Sequence, residues 1–223
     1  KALDVAADAT KIPKAEAAAS TVAGPQGVYV KGLLASRSVR SLLTKKKGAK
    51  WVEQALADKR ADPKLDAFLT DDQYLSIRGY TSNLYNEINP ALRAGAPGEY
   101  AGLVDNATSG MDTLRQNGFQ YEGMVRRDVF FSQGQIATLF RNSDGVFKDP
   151  AFLSSTTDLN GVFPGNTTLY LNSNSGVSVG SLAEIPSEAE ILFKPGTSFE
   201  VIQIKPPTTA TSNTVIYLQQ IKP

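Results

Sequence analysis

The hydrophobic pattern changes period about halfway along the chain. Up to Gly118 the apolar residues recur at helical spacing, as in Leu84, Tyr85, Ile88, Ala91 and Leu92. Trp51, Leu56 and the alanines around them predict a short helix from about Ala49 to Asp58. Thr70 with Gln73 three residues later predicts a capping box, and a helix follows through Tyr74, Leu75, Ile77 and Arg78. Gly79-Tyr80-Thr81-Ser82 interrupts that helix, and Pro90 predicts a kink or boundary in the next one. Residues 100–117 predict a further helix, closed by Asn117-Gly118. Beyond Gly118 the runs shorten and favour strands: Phe119 to Phe131, a short strand before Asp158, and Thr167 to Asn172. Residues 189–194, 198–205 and 214–222 predict a meander, with turns at Pro195-Gly196 and between Pro206 and Asn213. Helices first and strands second predict an α+β fold in one compact unit. Residues 2–19 are Ala-rich and read as a helix or a frayed arm, and residues 28–43 are ambiguous.

Within the strand half, Ser187-Glu188-Ala189-Glu190-Ile191-Leu192-Phe193 places two glutamates at the start of an apolar run. On a strand, residues i and i+2 share a face, roughly 7 Å apart. Two carboxylates held together beside a core carry a cost, and a two-carboxylate catalytic site is the function that would compensate for it. Alone, Glu-x-Glu more often marks a solvated strand face. Three further features change that balance. Val125-Arg126-Arg127 can aim a guanidinium, suited to bidentate phosphate binding, from a strand into a cleft; pairing with Asp128 or Glu122 is the plainer explanation. Ser154-Ser155-Thr156 offers hydroxyls that can hold a carboxylate, or else the outward positions of an edge strand. The helix carrying Tyr80, Tyr85, Asn89 and Arg93 has one polar pair four residues apart on an otherwise apolar face.

Composition removes several classes. The formal net charge of +1 gives no field for nucleic acid or an anionic membrane surface. The only basic run, Lys45-Lys46-Lys47, reads as a solvated loop. No apolar run reaches the ~18–20 residues of a membrane-spanning helix, so no stable membrane insertion is expected. The chain has no cysteine and no histidine. Disulfides, thiol nucleophiles, Ser-His-Asp triads and His or Cys metal sites are therefore out. Catalysis is left to carboxylates, hydroxyls, Arg, Lys and Tyr, and no metal is expected. Absence of cysteine suits a secreted protein, and Lys1 in place of Met is consistent with a removed leader.

Taken in order, these four features resemble the mono-ADP-ribosyltransferase toxins of the arginine–serine–Glu-x-Glu class, such as the enzymatic components of binary toxins and the Rho-modifying exoenzymes. The resemblance runs from about Tyr74 to the C-terminus. It implies an ADP-ribosyltransferase catalytic domain over residues 51–223, with N-terminal helices on a mixed, mostly antiparallel two-sheet β core, and an N-terminal helical arm or extension over residues 1–50. NAD is then the substrate. Arg126 matches the strand arginine that contacts the NAD phosphates. Arg127 stands where some members have Gly. Ser154 matches the first hydroxyl of the Ser-Thr-Ser motif, here Ser-Ser-Thr, and would hold Glu190. Asn89 and Arg93 match the residues that grip adenosine and phosphates, and Phe163 the aromatic of the loop over the nicotinamide. Glu190 would stabilise the developing oxocarbenium ion, and Glu188 would accept the proton of an attacking guanidinium. In the class, Glu at the Glu188 position accompanies arginine acceptors. The segment 180–187 would be the substrate-recognition loop. The implied protein is a secreted monomeric toxin acting in a host cytoplasm on a host-protein arginine, with actin as one candidate. A catalytically degenerate host-protein-binding module and a carboxylate-pair glycosidase are the alternatives, and the glycosidase leaves the other three motifs unexplained.

Overall fold

Thr70 and Gln73 form the capping box that their spacing predicts. The Thr70 hydroxyl accepts from the Gln73 N–H at 3.2 Å, and the Gln73 side chain accepts from the Thr70 N–H at 3.0 Å, so two donors orphaned at a helix start are satisfied. The computed structural model describes residues 39–161, 163–209 and 211–222. Most of the expected N-terminal arm, residues 1–38, lies outside the described residues. Helix α1 (residues 39–47) meets α2 (Ala49–Ala61) at Gly48, whose φ of 92° strongly favours glycine. Val39, Leu42 and Leu43 of α1 are buried in the same cluster as Val52 and Leu56 of α2. Lys45-Lys46-Lys47 is therefore helical rather than a loop. Its lysines lie against Glu99, Glu87 and Glu184 at 3.2, 2.6 and 3.6 Å.

Helix α3 (Pro63–Phe68) starts on Asp62, whose side chain accepts from two backbone N–H groups, with Pro63 in the first turn. Helices α4 (Asp71–Gly79) and α6 (Ala101–Leu114) cross at Gly110. A Cβ there would sit 3.0 Å from the Ile77 Cδ1, so the missing side chain sets how closely the two helices approach. Between α4 and α5 (Tyr85–Arg93) the chain makes one widened turn over Tyr80–Leu84, with Ser82 at ψ −144°. The Thr81 and Ser82 hydroxyls donate back to the Arg78 and Gly79 carbonyls, competing with the helical ladder. The interruption that Gly79-Tyr80-Thr81-Ser82 predicts thus falls at Ser82, while Pro90 ends no helix. Proline removes one intrahelical donor, and burial of Ile88 and Asn89 carries α5 through it to Arg93.

The strands are β1 (Gln120–Val129), β2 (Val146–Lys148), β3 (Leu153–Thr156), β4 (Thr167–Ser178), β5 (Glu190–Phe193), β6 (Ser198–Lys205) and β7 (Thr214–Gln220), with a short helix α7 (Gln133–Ile136) after β1. Pairing is antiparallel except between β4 and β7. The expected meander is only half present: β6 and β7 form a hairpin, but β5 pairs with β3 and with the end of β4. The reason lies in the side chains. Ile191 and Phe193 of β5 are buried among Val125, Leu153 and Leu171, so that strand belongs inside the fold rather than beside β6. β1 pairs along β4 and touches β3 at one register position, Arg126↔Thr156. The sheet forks there, and the β3–β5 pair diverges from β1–β4. One core lies between the two limbs; the other lies between the helices and the opposite face of β3–β5, where Phe152, Val177 and Leu192 are buried. The fork opens a cleft whose walls are β1, β3, β5 and the widened turn before α5.

Candidate active site

The hydroxyl triplet on β3 holds the segment 188–191 position by position. Antiparallel pairing sets Ser154 opposite Leu192 and Thr156 opposite Glu190. Ser154 Oγ donates to Glu190 Oε1 at 2.5 Å. Ser155, facing the other way, donates to the Ile191 carbonyl at 3.0 Å, and Thr156 donates to the Glu188 carbonyl at 2.8 Å. Glu190 is 4% exposed, so its carboxylate sits on the floor of the cleft beneath a charge-assisted hydrogen bond.

Glu188 reaches the same cleft by a different route from the one that strand parity predicts. The strand begins only at Glu190. Glu188 ends a tight turn over Pro186–Glu188, and Ala189 between the two acids is left-handed, φ 46°, ψ 48°. That conformation costs a non-glycine residue about 1–2 kcal/mol. It is held by the Thr156 bond to Glu188 and by the Thr157 N–H, which donates to the Ala189 carbonyl at 3.3 Å. The two carboxylates converge because a turn delivers one and a strand the other.

The cleft is lined by Arg126, Arg127, Ser154, Phe163, Glu188 and Glu190. Of the eight residues that the motifs single out, these six come together. Asn89 and Arg93 do not line it. Asn89 is buried behind the wall, where its Nδ2 donates to the Tyr80 hydroxyl at 3.1 Å. Arg93 lies in an adjoining groove of about 510 Å³ and forms a two-pronged pair with Asp149, at 3.1 and 2.8 Å.

The two strand arginines point to opposite faces of β1. Arg126 is engaged twice: Nη2 donates to Asp128 at 3.2 Å within an ion pair whose closest approach is 2.9 Å, and Nη1 donates to the Leu159 carbonyl at 3.0 Å. Asp128 is buried and also accepts from the Thr168 hydroxyl at 2.5 Å. The pairing with Asp128 therefore exists, and it fixes Arg126 at the rim of the cleft rather than removing it. Arg127 is buried and donates to the Ser154 carbonyl at 2.5 Å. Burial lowers its pKa, against the opposing influence of Tyr80, Asp149 and Glu190. Among the described residues, Arg127 alone lines both the cleft and the groove.

Three wall residues carried no assignment in the sequence: Tyr80, Thr81 and Tyr85. Tyr80 is enclosed, its ring tilted against Phe152 at 4.7 Å between centroids, and burial raises the pKa of its hydroxyl. Tyrosines at helical spacing ordinarily indicate packing. Only the widened turn at 80–84 aims these into a polar site. Asp149, the partner of Arg93, lies 56 residues away, beyond any local signal.

A protein-family model described as NAD:arginine ADP-ribosyltransferase matches residues 38–223. The NAD(+)–protein-arginine ADP-ribosyltransferase Tre1 of Serratia proteamaculans is 34% identical over 157 residues, which is 68% of this chain and 33% of that protein. Tre1 of Pseudomonas putida is 33% identical over 172 residues, 74% of this chain and 33% of that protein. The chain thus spans about a third of the length of the curated relatives it matches. Among solved structures, the type III effector XopAI from Xanthomonas axonopodis pv. citri aligns with TM-score 0.71 at 19% identity, covering 84% of this chain and 88% of that one. The motifs also suggest one individual relative, the ADP-ribosyltransferase Vis. At TM-score 0.54 and 20% identity, over 83% of this chain and 85% of that one, Vis is a more distant structural neighbour than XopAI.

Proposed function

The chain belongs to the NAD:arginine ADP-ribosyltransferase family, and on that premise we propose that it cleaves NAD and passes the ADP-ribose to an arginine of another protein. The observation that carries this reading is the Ser154–Glu190 pair, a buried carboxylate held by a hydroxyl at 2.5 Å beside Glu188. The bond broken is that between the nicotinamide nitrogen and C1 of the ribose; its electron pair leaves with nicotinamide. The positive charge that develops on the ribose is stabilised by Glu190, already in place and shielded from bulk water. The arginine guanidinium then forms the new bond to C1 and loses one proton. Free arginine holds that proton to above pH 12, so a base is required, and in this reading Glu188 is that base. Water in place of the guanidinium gives NAD hydrolysis.

Arg127 spans cleft and groove, which suits it to the pyrophosphate between the two halves of NAD. The groove, with Arg93, receives the adenosine end. Arg126, tied to Asp128, braces the nicotinamide side with Phe163. Asn89 acts through Tyr80, whose hydroxyl it bonds. We read the acceptor as a host-protein arginine reached after export. The absence of cysteine and the resemblance of the motifs to those of secreted toxins support export.

The test is nicotinamide release and labelling of agmatine, a small guanidine, in the presence of NAD. Glu190→Gln is expected to lower both by ~10²-fold or more. Glu188→Gln is expected to lose agmatine labelling while nicotinamide release continues. No nicotinamide release from the unsubstituted chain, or full release from Glu190→Gln, overturns the reading, and the former would favour a binding module.

A further inference from the structure

The segment between β4 and β5 divides into two halves of opposite character. Val179, Leu182 and Ala183 turn inward: all three are fully buried, and the Leu182 and Ala183 N–H groups both donate to the Val179 carbonyl at 2.8 Å. Residues 184–187 are exposed, with Ile185 40% accessible, and the chain then enters the turn that ends on Glu188. The inner half is therefore the foundation on which the outer half and Glu188 stand.

That foundation is held from the helical layer by one side chain. Arg78, near the end of α4, donates through Nη1 to two successive carbonyls, Leu182 at 3.1 Å and Ala183 at 3.0 Å. Its Nη2 donates to Asp58 of α2 at 3.1 Å, which holds the guanidinium from behind. The side chain is 17% exposed, and it does not line the cleft. A planar guanidinium can bind two carbonyls and a carboxylate at once; an ammonium on a flexible stem cannot do so in a fixed geometry. Lys47 adds a looser tether from α1 to Glu184 at 3.6 Å. Eight residues downstream of the Thr70 cap, the sequence thus places an arginine whose carbonyl partners lie more than a hundred positions away.

We propose that Arg78 is a positioning residue for the acceptor side of the reaction. It pins residues 182–183 so that Glu188 meets the incoming guanidinium at a fixed place, while Glu190, held separately by Ser154 and by strand pairing, does not depend on it. The proposal rests on the function given above. It separates the two glutamates by their supports: Glu190 by the sheet, Glu188 by a strap from the helices.

The experiment compares Arg78→Met and Arg78→Lys in the full chain, measuring agmatine labelling and nicotinamide release in parallel. In Arg78→Met, transfer is expected to fall by about 10- to 100-fold relative to hydrolysis, the scale of an ångström-sized misplacement of a reacting group. Arg78→Lys, which keeps the charge and a single donating nitrogen in place of the guanidinium fork, is expected to restore part of the ratio. A general structural role would lower both activities together, and an unchanged transfer-to-hydrolysis ratio overturns the proposal. Hydrogen exchange supplies a readout independent of activity. Amides of residues 182–188 are expected to exchange faster in Arg78→Met while those of 190–193 keep their protection. Unchanged exchange at 182–188 also overturns it. Failure of the unsubstituted chain to cleave NAD would instead count against the proposed function, and the exchange result would still decide whether Arg78 anchors the segment.

Discussion

The three adjacent hydroxyls on β3 should separate under substitution, because each bonds a different group. Ser154→Ala removes the donor at 2.5 Å from a buried carboxylate. A hydrogen bond to a charged group contributes about 1.5–3 kcal/mol, which corresponds to roughly 10- to 150-fold in rate if it is needed to hold Glu190 in the transition state. Both nicotinamide release and transfer should fall by that factor, since both pass through the same ribose cation. Ser155→Ala removes a neutral bond to the Ile191 carbonyl. It should lower unfolding free energy by about 1 kcal/mol and leave the balance of the two reactions unaltered. Thr156→Val keeps the shape but releases the Glu188 carbonyl and the Asp158 N–H. Transfer should suffer more than hydrolysis. The assay is paired: fluorescent-NAD hydrolysis and agmatine labelling for each variant, with urea denaturation to correct for folded fraction. Equal losses across the three variants would refute the argument, because it assigns them different bonds. So would Ser154→Ala with undiminished NAD cleavage.

Arg127→Lys should raise the KM for NAD by about tenfold or more, since a lysine cannot hold the Ser154 carbonyl and a phosphate with one rigid fork; steady-state kinetics at varied NAD would show it, and an unchanged KM would move the phosphate contact elsewhere. Ala189→Gly should be neutral to about 1 kcal/mol stabilising in denaturant melts, as relief of the left-handed strain is offset by the freer unfolded chain; a clear destabilisation would mean that the methyl group packs. Lys46 and Tyr100 hold the Glu87 carboxyl below its ordinary 4.5. Glu87 therefore adds stability that is present above that value and is lost as pH falls through its depressed pKa. Lys46→Met should flatten thermal stability across that acid limb, and melting curves from pH 2 to 6 would test it.

Most of the candidate site was legible because its chemistry depends on residue types that are rarely grouped without a reason. A chain without His or Cys leaves few catalytic options, and Arg126-Arg127, Ser154-Ser155-Thr156 and Glu188-x-Glu190 are short runs whose members stay together in any fold. Six of the eight singled-out residues do line one cleft. Asn89 and Arg93 were less legible. Helical spacing gives a shared face, but it does not say whether that face meets substrate, a tyrosine or an aspartate. Here it meets Tyr80 and Asp149.

Local sequence by itself determined the α+β class, the capped start of α4, the strand character of the second half and the adjacency of the hydroxyls that hold Glu188, Glu190 and Ile191. These depend on propensity, periodicity and bonds between near neighbours, all of which short segments encode. Tertiary structure alone decided which strand β5 joins, that α5 continues through Pro90 to Arg93, and that Glu188 arrives on a left-handed turn instead of a strand face. It also brought Arg78 to the Leu182 and Ala183 carbonyls. The physical reason is common to these cases. Each is settled by burial of apolar side chains or pairing of buried polar groups between segments far apart in the chain, and such contacts override local preference wherever the two conflict.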